Sequence, residues 1–170
     1  MSGISTIGVH DSVTAVFPAS VFRDELADAA PDVRVVSDGD DLAACDALVT
    51  FTYEERFLDA DLDWIHSIQA GVDRFPFDAL QERGIALTNS TGIHGDVVGE
   101  TGVGLMLAFA RRLHVHRSHQ ERGEWRQPDW DDAFPLRRES ACVVGLGTLG
   151  QGIATRAAAL GMDVTGVKRT

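Results

Sequence analysis

The sequence predicts an α/β protein with parallel sheets, and three features carry that expectation. Short apolar runs of strand type alternate with segments of helical spacing from Ile4 to Thr88, the pattern of parallel strands joined by crossover helices. A long apolar segment, His94 to Arg112, comes next. The stretch from Ala141 to Thr170 then reads strand, glycine-rich turn, small-residue helix, strand. With 44% hydrophobic residues in 170, the chain can bury a real core, and its length suits one full domain and part of a second.

The elements follow in order. Ile4 to Val9 is a short apolar strand. Pro18 to Ala30 carries apolar side chains at Val21, Phe22, Leu26, Ala29 and Ala30, a helical spacing opened by proline, and Pro31 ends it. Val33 to Val36 is the second strand. Asp38-Gly39-Asp40-Asp41 forms a turn in which Asp40 or Asp41 suits a helix cap. Ala47 to Phe51, Trp64 to Gln69 and Ile85 to Thr88 are further strands, with a helix at Phe77 to Glu82. Ligands of such sheets bind in loops at the carboxyl ends of strands. Those loops lie near His10, at Thr52-Tyr53-Glu54, at Ala70-Gly71-Val72-Asp73 and at Asn89-Ser90-Thr91-Gly92. The long segment from His94 is apolar around most of its circumference and is expected to be a buried helix, with Asp96 as cap and Arg111-Arg112 at the negative end of its dipole. Gly123 to Arg138, polar and interrupted by Pro128 and Pro135, reads as an irregular connection.

The final stretch carries the clearest chemistry. Gly145-Leu146-Gly147-Thr148-Leu149-Gly150 sits between a strand and a helix, the setting a dinucleotide-binding turn requires. Gly145 permits the tight turn, Gly147 lets the backbone approach a pyrophosphate, and Gly150 lets the helix pack close to the strand. Backbone N–H groups of the first helical turn, at Thr148 and Leu149, then face the phosphate. About 20 residues on, NAD-binding units carry a carboxylate for the ribose 2′-hydroxyl. Here the second strand ends in Lys168-Arg169-Thr170. Two cations and a hydroxyl suit a 2′-phosphate that a carboxylate would repel. The expected cofactor is therefore NADP(H) in preference to NAD(H). Lys168 is the only lysine in the chain.

Composition narrows the partners. The net charge of -11 argues against nucleic acid or an anionic membrane. Abundant Asp with a single lysine resembles a halophilic protein, whose dense carboxylates are screened by salt. Cys45 and Cys142 lie in apolar runs and read as small core residues, not as a disulfide or a metal site. No basic-then-apolar leader and no membrane-length apolar run occur, so a soluble, cytoplasmic protein is expected. His114, His116 and His119 lack a carboxylate or cysteine partner in the pattern, so no metal is expected. His66 and His94 read as packing or capping residues. His10 sits at a functional edge without a visible carboxylate partner.

Gly71-Val72-Asp73 after a strand, Asn89 with Gly92 before the long helix, Val98-Gly99-Glu100-Thr101 within it, Ala110-Arg111-Arg112, Gly123-Glu124-Trp125, Val144 to Gly150 and Gly161-Met162-Asp163-Val164 occur in that order. Together they resemble the D-isomer-specific 2-hydroxyacid dehydrogenase family over its amino-terminal half to two-thirds. The resemblance implies a flavodoxin-like substrate domain over residues 1–95, then an interdomain helix and an incomplete Rossmann cofactor-binding domain over residues 96–170. It implies a substrate turn at Ala70, Gly71 and Val72, with the N–H groups of Ala70 and Gly71 facing a carboxylate. It further implies a side-chain pocket bordered by Phe51, Thr52 and Tyr53, and Thr101 near the nicotinamide. Family members transfer hydride between the nicotinamide and a 2-oxo acid or D-2-hydroxy acid, and commonly form homodimers. Their catalytic Arg, and the His held by a carboxylate, follow the second Rossmann strand. None maps onto residues 1–170, so the catalytic groups are expected downstream of Thr170. The alternative reading is a non-catalytic dinucleotide-binding or interaction module.

Overall fold

A computed structural model describes residues 3–26, 32–37 and 42–169. Ala29, Ala30, Pro31, the Asp38–Asp41 turn with its proposed cap, and Thr170 lie outside the described residues. The chain divides into two compact units, Met1–Thr91 and Gly92–Thr170. Among the described residues no helix is long and apolar enough to cross a membrane.

The first unit is built on five parallel strands: β1 (Thr6–His10), β2 (Asp32–Val36), β3 (Ala47–Thr50), β4 (Trp64–Ser67) and β5 (Ala86–Asn89). Their spatial order is β2-β1-β3-β4-β5, the flavodoxin-like order, which places a topological switch point between β1 and β3. Each sequence-derived strand is present, shifted by one or two residues at its ends. The alternation of side chains explains the double-sided core. In register, Ile7 faces Ala47 and Val9 faces Val49, and these four pack with Val13 and Ala19 on one side. Leu48 and Ile65 point to the other side, among Leu42, Phe57, Phe75 and Leu80. Each large, fully buried apolar side chain contributes about 1.5–3 kcal/mol. Helix α1 (Ala19–Leu26) covers the first side through Ala19, Phe22 and Leu26. Helix α2 (Phe77–Glu82) covers the second through Leu80.

The amino end of β1 is held by a single carboxylate. Asp46 accepts hydrogen bonds from Ser5 Oγ (2.6 Å), Ser5 N–H (2.8 Å) and Thr6 N–H (2.8 Å). The Ser5 hydroxyl bond, then the two amides, hold its carboxyl below the ordinary value of 3.8. A depressed folded-state pKa stabilises above the unfolded value, and that contribution is lost as pH falls through the folded value. Asp46→Ala should therefore be less stable than the parent at neutral pH, and the gap should close on acidification below 3.8. Paired urea titrations across pH measure it, and a gap independent of pH would refute the role.

The second unit runs α3 (Gly95–Ala110), α4 (Leu113–Glu121), β6 (Ser140–Val144), α5 (Thr148–Ala159) and β7 (Asp163–Val167). Residues 123–139 between α4 and β6 form an irregular connection, as the prolines predict. Strands β6 and β7 pair in parallel. Arg112, at φ 56, breaks the helical run between α3 and α4.

Three expectations change here. Within these 170 residues the long helix leaves Leu105 and Phe109 66% and 62% exposed, and only Gly99, Val103 and Ala110 are buried. Helix α3 packs on α5 through glycines instead of bulky side chains. A Cβ at Gly99 would lie 2.6 Å from the Gly152 carbonyl oxygen, and one at Gly102 3.1 Å from Ile153. The contacting face is thus the small-residue face, and the large apolar residues point elsewhere. Cys142 is exposed, whereas Cys45 is buried as expected. Val143 faces α5 beside Gly150, so its neighbour Cys142 projects from the opposite, uncovered side of a two-stranded sheet. The capping expectations also change. His94 is the N-cap of α3 but its side chain makes no capping bond. Asp96 lies in the first turn and pairs with Arg156 at 2.8 Å.

Candidate functional site

The carboxyl ends of β1 and β3 meet at the switch point, where Ser12 is the hub. The Ser12 hydroxyl oxygen accepts the N–H groups of Phe51 (3.1 Å) and Thr52 (3.4 Å) and lies 3.2 Å from Thr50 Oγ1. Thr50 Oγ1 donates to the Thr52 carbonyl at 2.6 Å. His10, only 1% exposed, lies with Nδ1 2.8 Å from Ser12 Oγ and Nε2 2.9 Å from Arg56 Nη2. His10 Nδ1 also receives the Ser12 N–H at 3.3 Å, capping the turn that follows β1. His10 does have carboxylate neighbours, contrary to the sequence reading. Glu54 Oε1 is 3.5 Å from Nε2 and Asp11 Oδ1 is 3.6 Å from Nδ1. Glu54 comes from the next loop and Asp11 from the adjacent residue, so neither showed as a partner in the linear pattern.

The β3 and β4 loops are joined directly. Gln69 Nε2 donates to the Phe51 carbonyl. Both backbone groups of Phe51 are therefore committed to side chains, and only its ring remains to meet a ligand. The Tyr53 ring packs against Phe75 (5.4 Å) and edge-on to Phe57 (6.1 Å). Burial raises its phenol pKa, so the hydroxyl stays protonated.

The turn at Ala70, Gly71 and Val72 is buttressed from the end of β5. Asn89 Nδ2 donates to the Ala70 carbonyl at 2.6 Å, and Ser90 N–H to the Gln69 carbonyl at 3.1 Å. A Cβ at Gly71 would approach only Asp73 Oδ2, at 3.9 Å, so the space beside this glycine is open. Behind it, Trp64 Nε1 donates to Thr88 Oγ1 at 2.8 Å, and Thr88 Oγ1 lies 2.8 Å from His66 Nδ1. The other nitrogen, Nε2, lies 3.3 Å from Ser90 Oγ, so a neutral ring has a hydroxyl partner at each nitrogen. Burial lowers the His66 pKa and favours this neutral form. His66 is thus a packed strand residue, as expected, with both nitrogens in use.

In the second unit the glycine turn has the shape its motif suggests. Gly145 stands at φ 95, which favours glycine, and its N–H donates to the Val167 carbonyl at 2.7 Å. A Cβ at Gly150 would overlap the Gly145 carbonyl oxygen, so the close approach requires glycine there. At Gly147 the outcome differs: a Cβ would meet no protein atom within 4 Å. No side chain caps the amino end of α5, leaving Thr148 and Leu149 to present backbone amides with the helix dipole behind them. The open crook thus fits a pyrophosphate. The Gly145–Val167 bond sets Lys168 and Arg169 beside the start of this turn. Among the described residues neither has an ion-pair partner. Thr101 is not joined to the turn. Its hydroxyl donates back to the Val97 carbonyl at 2.9 Å, and its position lies about 130° round α3 from the glycine face. Among the described residues no cluster of His, Cys, Asp or Glu is arranged to hold a metal. An open groove lined by Leu113, His116, His119, Trp125 and Pro128 contains none of the glycine-turn residues.

Sequence reasoning missed Ser12, Gln69 and the buttressing role of Asn89. Each is a polar residue at or just beyond the end of a strand, a position that could have been scanned for.

The family model described as D-isomer specific 2-hydroxyacid dehydrogenase, NAD binding domain, matches residues 103–170. A glyoxylate reductase/hydroxypyruvate reductase of Mus musculus is 32% identical over 115 residues, covering 65% of this chain and 35% of the relative. The structure of Aquifex aeolicus D-lactate dehydrogenase, complexed with NAD and lactic acid, matches 97% of this chain and 52% of its own at 22% identity and a TM-score of 0.72. An acyclic imino acid reductase (Bsp5), in complex with NADPH and D-Arg, matches 96% of this chain and 56% of its own at 18% identity and a TM-score of 0.75. These two likenesses establish the fold. The chain spans about half the length of such structures.

Proposed function

Because this chain belongs to the D-isomer specific 2-hydroxyacid dehydrogenase family, we propose that it is the amino-terminal part of an NADP(H)-dependent reductase of 2-oxo acids. In that reaction a 2-oxo acid, NADPH and a proton give a D-2-hydroxy acid and NADP+. The observation that carries the reading is the glycine turn. Gly145 and Gly150 are glycines because the fold demands it, whereas Gly147 leaves space that no protein atom fills. A residue kept small toward empty space, at the uncapped start of a helix, suits an anionic ligand. NADP(H) would lay its pyrophosphate against Gly147, Thr148 and Leu149, and its 2′-phosphate against Lys168, Arg169 and Thr170. When bound, the nicotinamide supplies or accepts the hydride.

The residues of the first unit would hold the acid. The amides of Ala70 and Gly71, followed by Val72, receive the carboxylate, and Phe51, Thr52 and Tyr53 border the substrate side chain. Thr101 stands near the nicotinamide in this reading. In this reading none of residues 1–170 polarises the carbonyl or supplies the proton.

The test is turnover by the natural polypeptide in molar potassium chloride, following nicotinamide absorbance with glyoxylate, hydroxypyruvate and pyruvate. The expected result is NADPH oxidation with at least one of these acids, faster than NADH oxidation. Absence of oxidation with every acid and either cofactor would overturn the reading.

A further inference from the structure

We infer that Asn89 is a positioning residue that aims two successive backbone N–H groups, those of Ala70 and Gly71, at the carboxylate of the substrate. The inference rests on the reductase reading for the identity of the ligand. It rests on the geometry of two peptide planes for the rest.

A trans peptide is planar, so its N–H points opposite to its C=O. Fixing a carbonyl therefore fixes the next residue's N–H. The Ala70 carbonyl is held by Asn89 Nδ2 at 2.6 Å, which turns the Gly71 N–H the other way. The Gln69 carbonyl is held by Ser90 N–H at 3.1 Å, which does the same for the Ala70 N–H. Asn89 and Ser90 are consecutive, so one short segment at the end of β5 sets both planes. Two successive N–H groups presented together form an anion-accepting concavity.

The geometry around this segment keeps it in place. Ser90 N–H also reaches the Ser67 carbonyl at 3.1 Å, and Ser67 is fully buried. The Ser90 hydroxyl meets His66 Nε2 at 3.3 Å. On the other flank Gln69 Nε2 grips the Phe51 carbonyl, so the turn cannot rotate freely toward β3. At Gly71 itself the nearest atom to where a Cβ would stand is Asp73 Oδ2, at 3.9 Å.

An amide donor is essential at position 89. A carboxylate of the same shape has no proton to give and would repel the Ala70 carbonyl oxygen. Asn89→Asp is thus nearly isosteric but opposite in hydrogen-bonding sense, and freed from Asn89 the Ala70–Gly71 plane can swing. Losing one well-aimed bond to an anion weakens carboxylate binding by about 10- to 100-fold.

Two measurements test this. In the natural polypeptide, Asn89→Asp should raise KM for glyoxylate by that factor, leave KM for NADPH unchanged, and leave activity toward the methyl ester nearly unaltered. A purely structural defect would impair both KM values and the ester activity together. Independently of turnover, the Gly71 and Ala70 amide resonances should shift on titration with oxamate in the parent and not in Asn89→Asp. Asn89→Ser, which keeps a donor on a shorter arm, should recover part of the shift. Turnover with an unchanged glyoxylate KM in Asn89→Asp would overturn the inference and leave the reductase reading standing. An oxamate shift in the parent, lost in Asn89→Asp, without turnover would uphold the inference and overturn the reading. Neither turnover nor any shift would overturn both.

Discussion

Gly150→Ala is expected to unfold the second unit, with a loss of about 3 kcal/mol or more. A Cβ at this position would overlap the Gly145 carbonyl oxygen and come within 3.3 Å of Val143 Cγ1. The first obstacle is backbone, so no rotamer change relieves it. Nor can the turn retreat. Gly145 is at φ 95 and its N–H is bonded to Val167 at 2.7 Å, which ties the turn to β7. Moving α5 away instead would open its seam with α3, where a Cβ at Gly152 would overlap the Gly95 carbonyl oxygen. Gly147→Ala provides the contrast, because its new methyl group meets nothing. Its stability should stay within about 0.5 kcal/mol of the parent, while affinity for NADPH falls as the methyl group intrudes on the pyrophosphate. Chemical denaturation of the three proteins, with cofactor titration of the folded ones, separates the two roles. Parent-like stability of Gly150→Ala would show that the turn and helix do not approach as closely as described.

That pair of glycines also shows what could be read from residues alone. The order strand, G-x-G-x-x-G, helix, strand identified the turn because Gly145 and Gly150 answer local geometric needs, while Gly147 leaves open space beside it. The five strands of the first unit were legible for the same reason, since runs such as Ala47 to Thr50 are apolar enough to be buried on both faces. Helix α2 coincides with its expected span, Phe77–Glu82. Helix α3 was found, but its packing seam lies on its glycines and not on its bulky apolar residues. Apolar periodicity reports which residues avoid water, not which face a neighbour takes, and here α5 takes the glycine face. Asn89, Ser12 and Gln69 were not legible as buttresses. Their roles depend on contacts 19, 39 and 18 residues away in sequence, created only when parallel strands bring their carboxyl ends side by side.

Cofactor choice is expected to reverse when the cations after β7 are replaced. Lys168 and Arg169 follow directly on Val167, whose carbonyl accepts the Gly145 N–H, so they begin where the turn begins. In the proposed complex they are the positive groups for a 2′-phosphate, and each charge-assisted bond contributes substantially to binding. Lys168→Asp combined with Arg169→Ala removes both and adds a carboxylate that repels the phosphate but accepts from a ribose hydroxyl. The ratio of NADPH to NADH affinity should fall by about 100-fold or more. The size of the change carries a second signature. Both residues are exposed, so their attraction for phosphate is screened, with a Debye length of about 3 Å at 1 M salt against about 10 Å at 0.1 M. The switch should therefore be larger in dilute buffer than in molar potassium chloride, whereas a preference set by shape alone would not depend on salt. Fluorescence titration of both cofactors at two salt concentrations reads both effects. An unchanged ratio at both would mean that these cations face solvent and that the choice of cofactor is made elsewhere.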